Sequence, residues 1–192
     1  MVSRKDLIVP EYFNRYINAV SEEDLQKALS RNTRQFLKLL KQVPKKKINF
    51  SYAEGKWTIK EVLQHIIDAE RVFVYRALSF ARKDPNELPG FDENTWAITA
   101  MAPKRKWNDL IDEFKALRAA NELFFASLDD DQLLHSGVAS RNPISVAALG
   151  FICVGHAAHH INLIKERYLQ GEPPAEKKKT HKKKKKSKER KK

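Results

Sequence analysis

Four segments of this chain repeat apolar side chains at intervals of three and four residues. A chain of that kind has to bury four helical stripes against one another. In the first segment Leu25, Leu29, Phe36, Leu39 and Val43 share a stripe, with Asn32 in its one polar slot. Ser21-Glu22-Glu23-Asp24 precedes it with the hydroxyl-to-carboxylate spacing of a capping box, and Pro44 ends it. The second opens on Thr58-Ile59-Lys60-Glu61, another capping box, and runs through Val62, Ile66, Ala69, Phe73 and Ala77 to about Arg82. The third carries Trp107, Leu110, Ile111, Phe114, Leu117, Phe124 and Leu128. The fourth is expected to start with Asn142 as N-cap and Pro143 at the first helical position, and to continue to about Leu169. No segment shows the alternation of a strand.

These segments predict an all-α fold, an antiparallel four-helix bundle over residues 21–171, preceded by an arm or short helix in residues 1–20. The connection over residues 83–103 is long for a bundle, where about 2–8 residues is usual, which marks it as a candidate contributor to function.

Charge is uneven. The net charge is +13, but residues 171–192 alone hold twelve Lys and Arg against three Glu, and the rest of the chain is close to balanced. Residues 172–192 are therefore expected to form a disordered Lys-rich tail, able to attract nucleic acid or acidic surfaces non-specifically through counterion release. The tail has no aromatic residue on which a base could stack. With only six glycines and no glycine-rich loop, the sequence does not point to nucleotide binding by a phosphate cradle. The longest apolar run, residues 144–154, is about half of the ~20 residues a membrane helix needs, so no membrane span is expected. The first residues, Met1-Val2-Ser3-Arg4-Lys5-Asp6, lack the apolar core of a secretory signal. Cys153 is the single cysteine, and a cytoplasmic location is the expectation.

Chemistry concentrates in Gly155-His156-Ala157-Ala158-His159-His160-Ile161-Asn162. His156 and His160 are four apart, so on a helix both imidazoles lie on one face, while His159 points about 100° away. Leu149, Cys153, Leu163 and Ile164 share that face, which turns it inward. Such a pair alone fits a structural role as well as a ligand role. His65, at the edge of the second apolar stripe, would alone read as a packed core histidine. Together the three offer neutral nitrogen ligands from facing helices and leave coordination positions open, as catalytic metal sites do. Ala157 stands where the metallopeptidase helix carries its glutamate base, so that reaction is not indicated. Cys153, among apolar neighbours, reads as a buried thiol. Asp92 and Glu93 on the long connection are candidates for a catalytic base or a histidine partner; the alternative is that they cap or solvate the loop. Glu70 could support a ligand or pair with a cation across the bundle.

Three stretches carry a family resemblance. Residues 57–70, with Thr58-Ile59-Lys60-Glu61 and His65, the loop Leu88-Pro89-Gly90-Phe91-Asp92-Glu93-Asn94-Thr95-Trp96-Ala97, and the histidine phrase of the fourth segment resemble the DinB-like (DinB/YfiT) superfamily over about residues 20–170. The resemblance implies an up-up-down-down bundle with one long crossover and a divalent cation on His65, His156 and His160, for which imidazole ligands suit zinc or nickel. It also implies a homodimer and a small-molecule substrate. Activities in the family include transfer and isomerisation that depend on low-molecular-weight thiols, and hydrolysis. A thiol-dependent S-transferase is thus the first expectation. A metal-dependent hydrolase, or a non-enzymatic metal-binding or interaction protein with a polyanion-binding tail, are the alternatives. Ala157 and Leu163 depart from the acidic residue and the glutamine common at their positions, which leaves the substrate open. The Lys-rich tail is not a family feature.

Overall fold

Capping chemistry and the apolar stripes set the elements. In the computed structural model, which describes residues 2–170, these are α1 (Asn14–Asn18), α2 (Leu25–Gln42), α3 (Ile59–Ala81), α4 (Glu93–Thr99), α5 (Trp107–Ala126) and α6 (Asp130–Leu134). A hairpin of β1 (Ser136–Ala139) and β2 (Asn142–Ser145) then leads into α7 (Val146–Leu163), which a π turn, Ile164–Leu169, extends. The expected Lys-rich tail lies outside the described residues.

The capping box of α3 is as expected. The Thr58 hydroxyl accepts from the Glu61 N–H, and the Glu61 carboxylate accepts from the Thr58 N–H at 2.8 Å. The start of α2 differs. Asp24 is the cap, accepting from the Lys27 N–H at 2.7 Å, and Ser21 instead bonds its neighbour Glu22. An ionised carboxylate directly before the helix is the stronger acceptor and is favoured by the helix dipole.

α2, α3, α5 and α7 form the bundle, with α2 and α3 each packed between α5 and α7. Side-chain pairs give the directions. The Tyr168 hydroxyl donates to the Trp57 carbonyl and Phe73 meets His156, so α3 is antiparallel to α7. Lys60 reaches the Arg105 carbonyl and Glu70 reaches Asn121, so α3 and α5 are parallel. Thr33 pairs with Glu122 and Phe36 with Phe114, so α2 and α5 are antiparallel. The helices therefore run up, down, down, up, and the expected up-up-down-down order is corrected. Parallel neighbours in sequence need a full-length return of the chain, and only residues 82–106 supply one. α3 rises about 35 Å, and the crossover carrying α4 brings the chain back that distance. Residues 43–58 and 127–145 are taken up by short turns, α6 and the hairpin, so the helices they join reverse.

The hairpin is a second correction. β1 and β2 pair antiparallel from Ser136↔Ser145 to Ala139↔Asn142, and Leu88 of the crossover adds a bridge to Ala139. Asn142 and Pro143 are thus strand residues, Ser145 takes the N-cap position and α7 begins at Val146.

Two apolar clusters fill the bundle. One holds Ala28, Leu29, Phe73, Phe80, Phe125 and Leu149 among others, and the other Phe36, Leu40, Ile59, Ile66, Phe114 and Ile161. Polar side chains lie buried with them: Glu70, Arg118, Asn121, His156 and His160. The Arg118 Nε donates to Glu70 at 2.7 Å, its Nη2 donates to the Cys153 carbonyl at 3.1 Å, and Asn121 donates to the other Glu70 oxygen. Glu70 thus takes the cross-bundle ion pair of its two expected roles. The helix Val146–Leu169 is long and apolar enough to cross a membrane, yet 78% of its apolar window is buried inside the bundle, as befits a core helix.

Candidate metal centre

α7 presents His156 and His160 one turn apart on its buried face, and α3 presents His65 against them. All three converge through Nε2. His65 Nε2 lies 3.0 Å and His160 Nε2 3.2 Å from His156 Nε2, and the three nitrogens lie within 4.8 Å of one another. A tetrahedral zinc ion with bonds of about 2.0–2.1 Å holds its nitrogens about 3.3 Å apart, so this donor set fits one cation. Burial keeps the imidazoles neutral, which is the ligand form. It brings His65 down to about 4, against an opposing pull from Glu93, and His160 down to about 3, helped by His65. His156 falls well below its usual value through burial and its imidazole neighbours. His159 is exposed and outside this donor set, although its ring meets those of Tyr16 and His160 at 5.8 and 5.1 Å.

Aromatic rings fix the ligand rings. Trp57 lies 4.7 Å from His65, and Tyr16 and Phe73 meet His156 edge-on at 5.5 and 5.8 Å. Trp57 is held in turn by Tyr168 of the π turn, whose hydroxyl donates to its carbonyl at 2.8 Å. The Nδ1 of His160 is buried with no acceptor among the described residues, so ring contacts with His65 and His156, at 5.1 and 4.7 Å, orient it.

Tyr16 comes from the N-terminal arm, and Gly155 lets it dock. A Cβ at Gly155 would stand 2.0 Å from the Tyr16 carbonyl oxygen. Backbone cannot yield as a side chain can, so Gly155→Ala is expected to lift α1 off α7 and to cost about 1–3 kcal/mol. For a domain of this size that is a fall in Tm of several degrees, at roughly 2–4 °C per kcal/mol. Metal content should hold, since α1 carries no ligand, and limited proteolysis should cut within residues 2–20. A melt within a degree of wild type would rule out the close approach.

The histidines open into a cavity of about 380 Å³ whose wall includes Trp57, Phe73, Arg76, Phe91, Glu93 and Tyr16. The two acidic candidates separate here. Glu93 lines this cavity, and its charge acts on His65. Asp92 is spent as the cap of α4, accepting from the Asn94 and Thr95 N–H groups and the Thr95 hydroxyl, and those bonds hold its carboxyl below the usual range. Asp92 is therefore the loop cap of the two readings. Cys153 is buried away from the cavity, and burial pushes its thiol well up. Tyr16, Trp57 and Arg76 were not legible as site residues, because only tertiary packing brings them to the histidines.

Residues 28–164 match the profile of the DinB superfamily. A relative from Oceanobacillus iheyensis, named as a proposed metal-dependent hydrolase, is 31% identical over 120 residues, which make up 60% of this chain and 66% of that protein. The match thus spans just under two thirds of that relative's length. YfiT from Bacillus subtilis, described as a probable metal-dependent hydrolase with an unusual four-helix bundle topology, superposes with a TM-score of 0.59 at 19% identity, covering 83% of this chain and 87% of that one. A mycothiol-dependent maleylpyruvate isomerase superposes with a TM-score of 0.60 at 11% identity, covering 84% and 62%. At these identities the two structures speak for the fold alone.

Proposed function

Since the chain belongs to the DinB superfamily, we propose that His65, His156 and His160 hold one divalent transition metal, zinc or nickel, and that the cavity above them carries out metal-dependent hydrolysis of a small molecule. The observation that carries this reading is the convergence of three neutral Nε2 atoms in a cavity that also holds the Glu93 carboxylate. A cation there supplies Lewis acidity and acidifies a water or thiol bound to it. Neutral imidazoles leave the cation's full charge available for that purpose. Glu93 accepts the proton at a carboxylate oxygen and returns it to the leaving group. Trp57, Phe73 and Phe91 limit bulk water, which strengthens the electrostatics inside. A homodimer is the proposed assembly, to be checked by light scattering.

The family resemblance favours a second reading, transfer of a low-molecular-weight thiol. Cys153 is walled off from the cavity, so the thiol would be a co-substrate from solution. One assay separates the two. Metal-loaded and metal-stripped protein are given esters and amides without thiol, then a generic electrophile with bacillithiol, mycothiol, glutathione or coenzyme A. Hydrolysis predicts metal-dependent turnover without thiol, reduced about 100-fold or more in Glu93→Gln at unchanged metal content. Turnover only with added thiol moves the assignment to the transferase. No turnover at full metal occupancy leaves a binding or interaction role.

A further inference from the structure

Among the described residues no carboxylate pairs with Arg76, a buried cation. It lies on α3 eleven residues beyond His65 and is 5% exposed. Its Nη2 donates to the Pro89 carbonyl at 2.7 Å and to the Ser140 hydroxyl at 3.2 Å. Its Nε is buried and unpartnered. Among the described residues Arg31, Arg71, Arg105 and Arg118 each pair with a carboxylate, but none pairs with Arg76. Burying an uncompensated charge costs several kcal/mol, and burial does pull the Arg76 pKa down. Pinning the crossover to the hairpin needs one neutral donor and does not account for a full positive charge.

Its position accounts for one. Arg76 lines the cavity over the histidines, the adjoining cavity of about 780 Å³ beneath the crossover, and a third of about 290 Å³ near Pro10. It is the wall the three share. Facing it is the two-residue turn of the hairpin, where Ser140 and Arg141 hold φ of 52° and 65°, the positive values such a turn needs. The Ser140 hydroxyl accepts from Arg76, and its N–H donates to the Leu88 carbonyl at 2.9 Å.

We propose that Arg76 binds a carboxylate of the substrate, so that the centre acts on small carboxylated molecules. This rests on the metal-centre reading above. The Cα atoms of His65 and Arg76 are about 16 Å apart along α3, and a helical arginine leans toward its helix N-terminus, here toward the histidines. A molecule anchored at Arg76 therefore extends its other end toward the Nε2 triad. No lysine lines the cavity, and of its two guanidiniums Arg15 is exposed, with Nη2 donating to the Tyr12 and Tyr16 hydroxyls, whereas Arg76 is buried. The planar Arg76 guanidinium, the one buried cation of this wall, matches a carboxylate in geometry and charge.

Two hydroxamates of equal length, one ending in a carboxylate and one in a methyl group, are titrated calorimetrically into zinc-loaded wild type, Arg76→Gln and Arg76→Lys. Wild type should prefer the carboxylated probe by about tenfold or more, as a charge-assisted bond supplies. Arg76→Gln should lose that preference, and Arg76→Lys, which keeps the charge, should retain part of it. A preference missing from wild type, or intact in Arg76→Gln, overturns the proposal. Hexanoate titrated into metal-stripped protein and followed by NMR gives an arm independent of metal. Shift changes present in wild type and lost in Arg76→Gln support Arg76 even where neither hydroxamate binds and the metal reading itself has failed. Their absence from wild type counts against it.

Discussion

Substituting His160 with alanine is expected to empty the three-histidine centre, taking metal content from about one per chain to near zero. Loss of a mere supporting residue lowers affinity about 10–100-fold, and loss of a direct ligand should exceed that. The geometry sharpens the expectation. His156 Nε2 sits within 3.2 Å of both other donors, and the remaining two nitrogens of a His160→Ala protein no longer surround a point. His159→Ala is the control: its ring is one residue away but exposed, and metal should remain. Elemental analysis of protein prepared without chelator or a nickel column reads the result. Wild type that stays empty after loading with zinc or nickel would sink the metal centre altogether. Equal loss in His159→Ala would mean that packing of the α7 turn, and not coordination, governs content.

The contrast between His159 and His160 is also a case of what the sequence makes legible. A period of 3.6 residues sorts side chains into faces, which brings His156 and His160 together and leaves His159 outside the donor set. It was enough as well for α3, where Thr58 and Glu61 cap as their spacing says. Periodicity carries no direction, however. The order up, down, down, up depends on which connection spans the bundle, and only the length of residues 82–106 hinted at it. The hairpin was hidden for a different reason. Two-residue hairpin turns usually announce themselves with Asn-Gly or Asp-Gly, but Ser140 and Arg141 occupy this one. Asn142-Pro143 then imitated a helix start, although Asn142 donates to the Ser140 carbonyl and belongs to the strand. Glu93 was picked out together with Asp92 because both lie on the crossover. Which of them faces the histidines was decided by the start of α4, where Asp92 became the cap. Arg76 gave no signal at all, since one arginine on a long helix looks like surface until the crossover and hairpin close over it.

Replacing Arg118 with methionine is expected to destabilise the fold by about 3–5 kcal/mol, the cost of stranding one member of a buried ion pair. For a domain of this size that is a fall in Tm on the order of 10 °C. Arg118 is 0% exposed and Glu70 1%, so solvent cannot screen the carboxylate left behind. Arg118 also ties three helices, through Glu70 on α3, its own α5, and the Cys153 carbonyl on α7, and its guanidinium rests 5.1 Å from the Phe114 ring centroid. Asn121 would still donate to Glu70, but one neutral donor does not replace a charge. The double variant Arg118→Met with Glu70→Leu removes both charges and should recover most of the lost stability, because an apolar pair of similar volume can match a buried ion pair. Thermal melts of the two single variants and the double close the cycle. A double variant no better than Arg118→Met would show that the loss comes from the Cys153 and Phe114 contacts, with the ion pair contributing little.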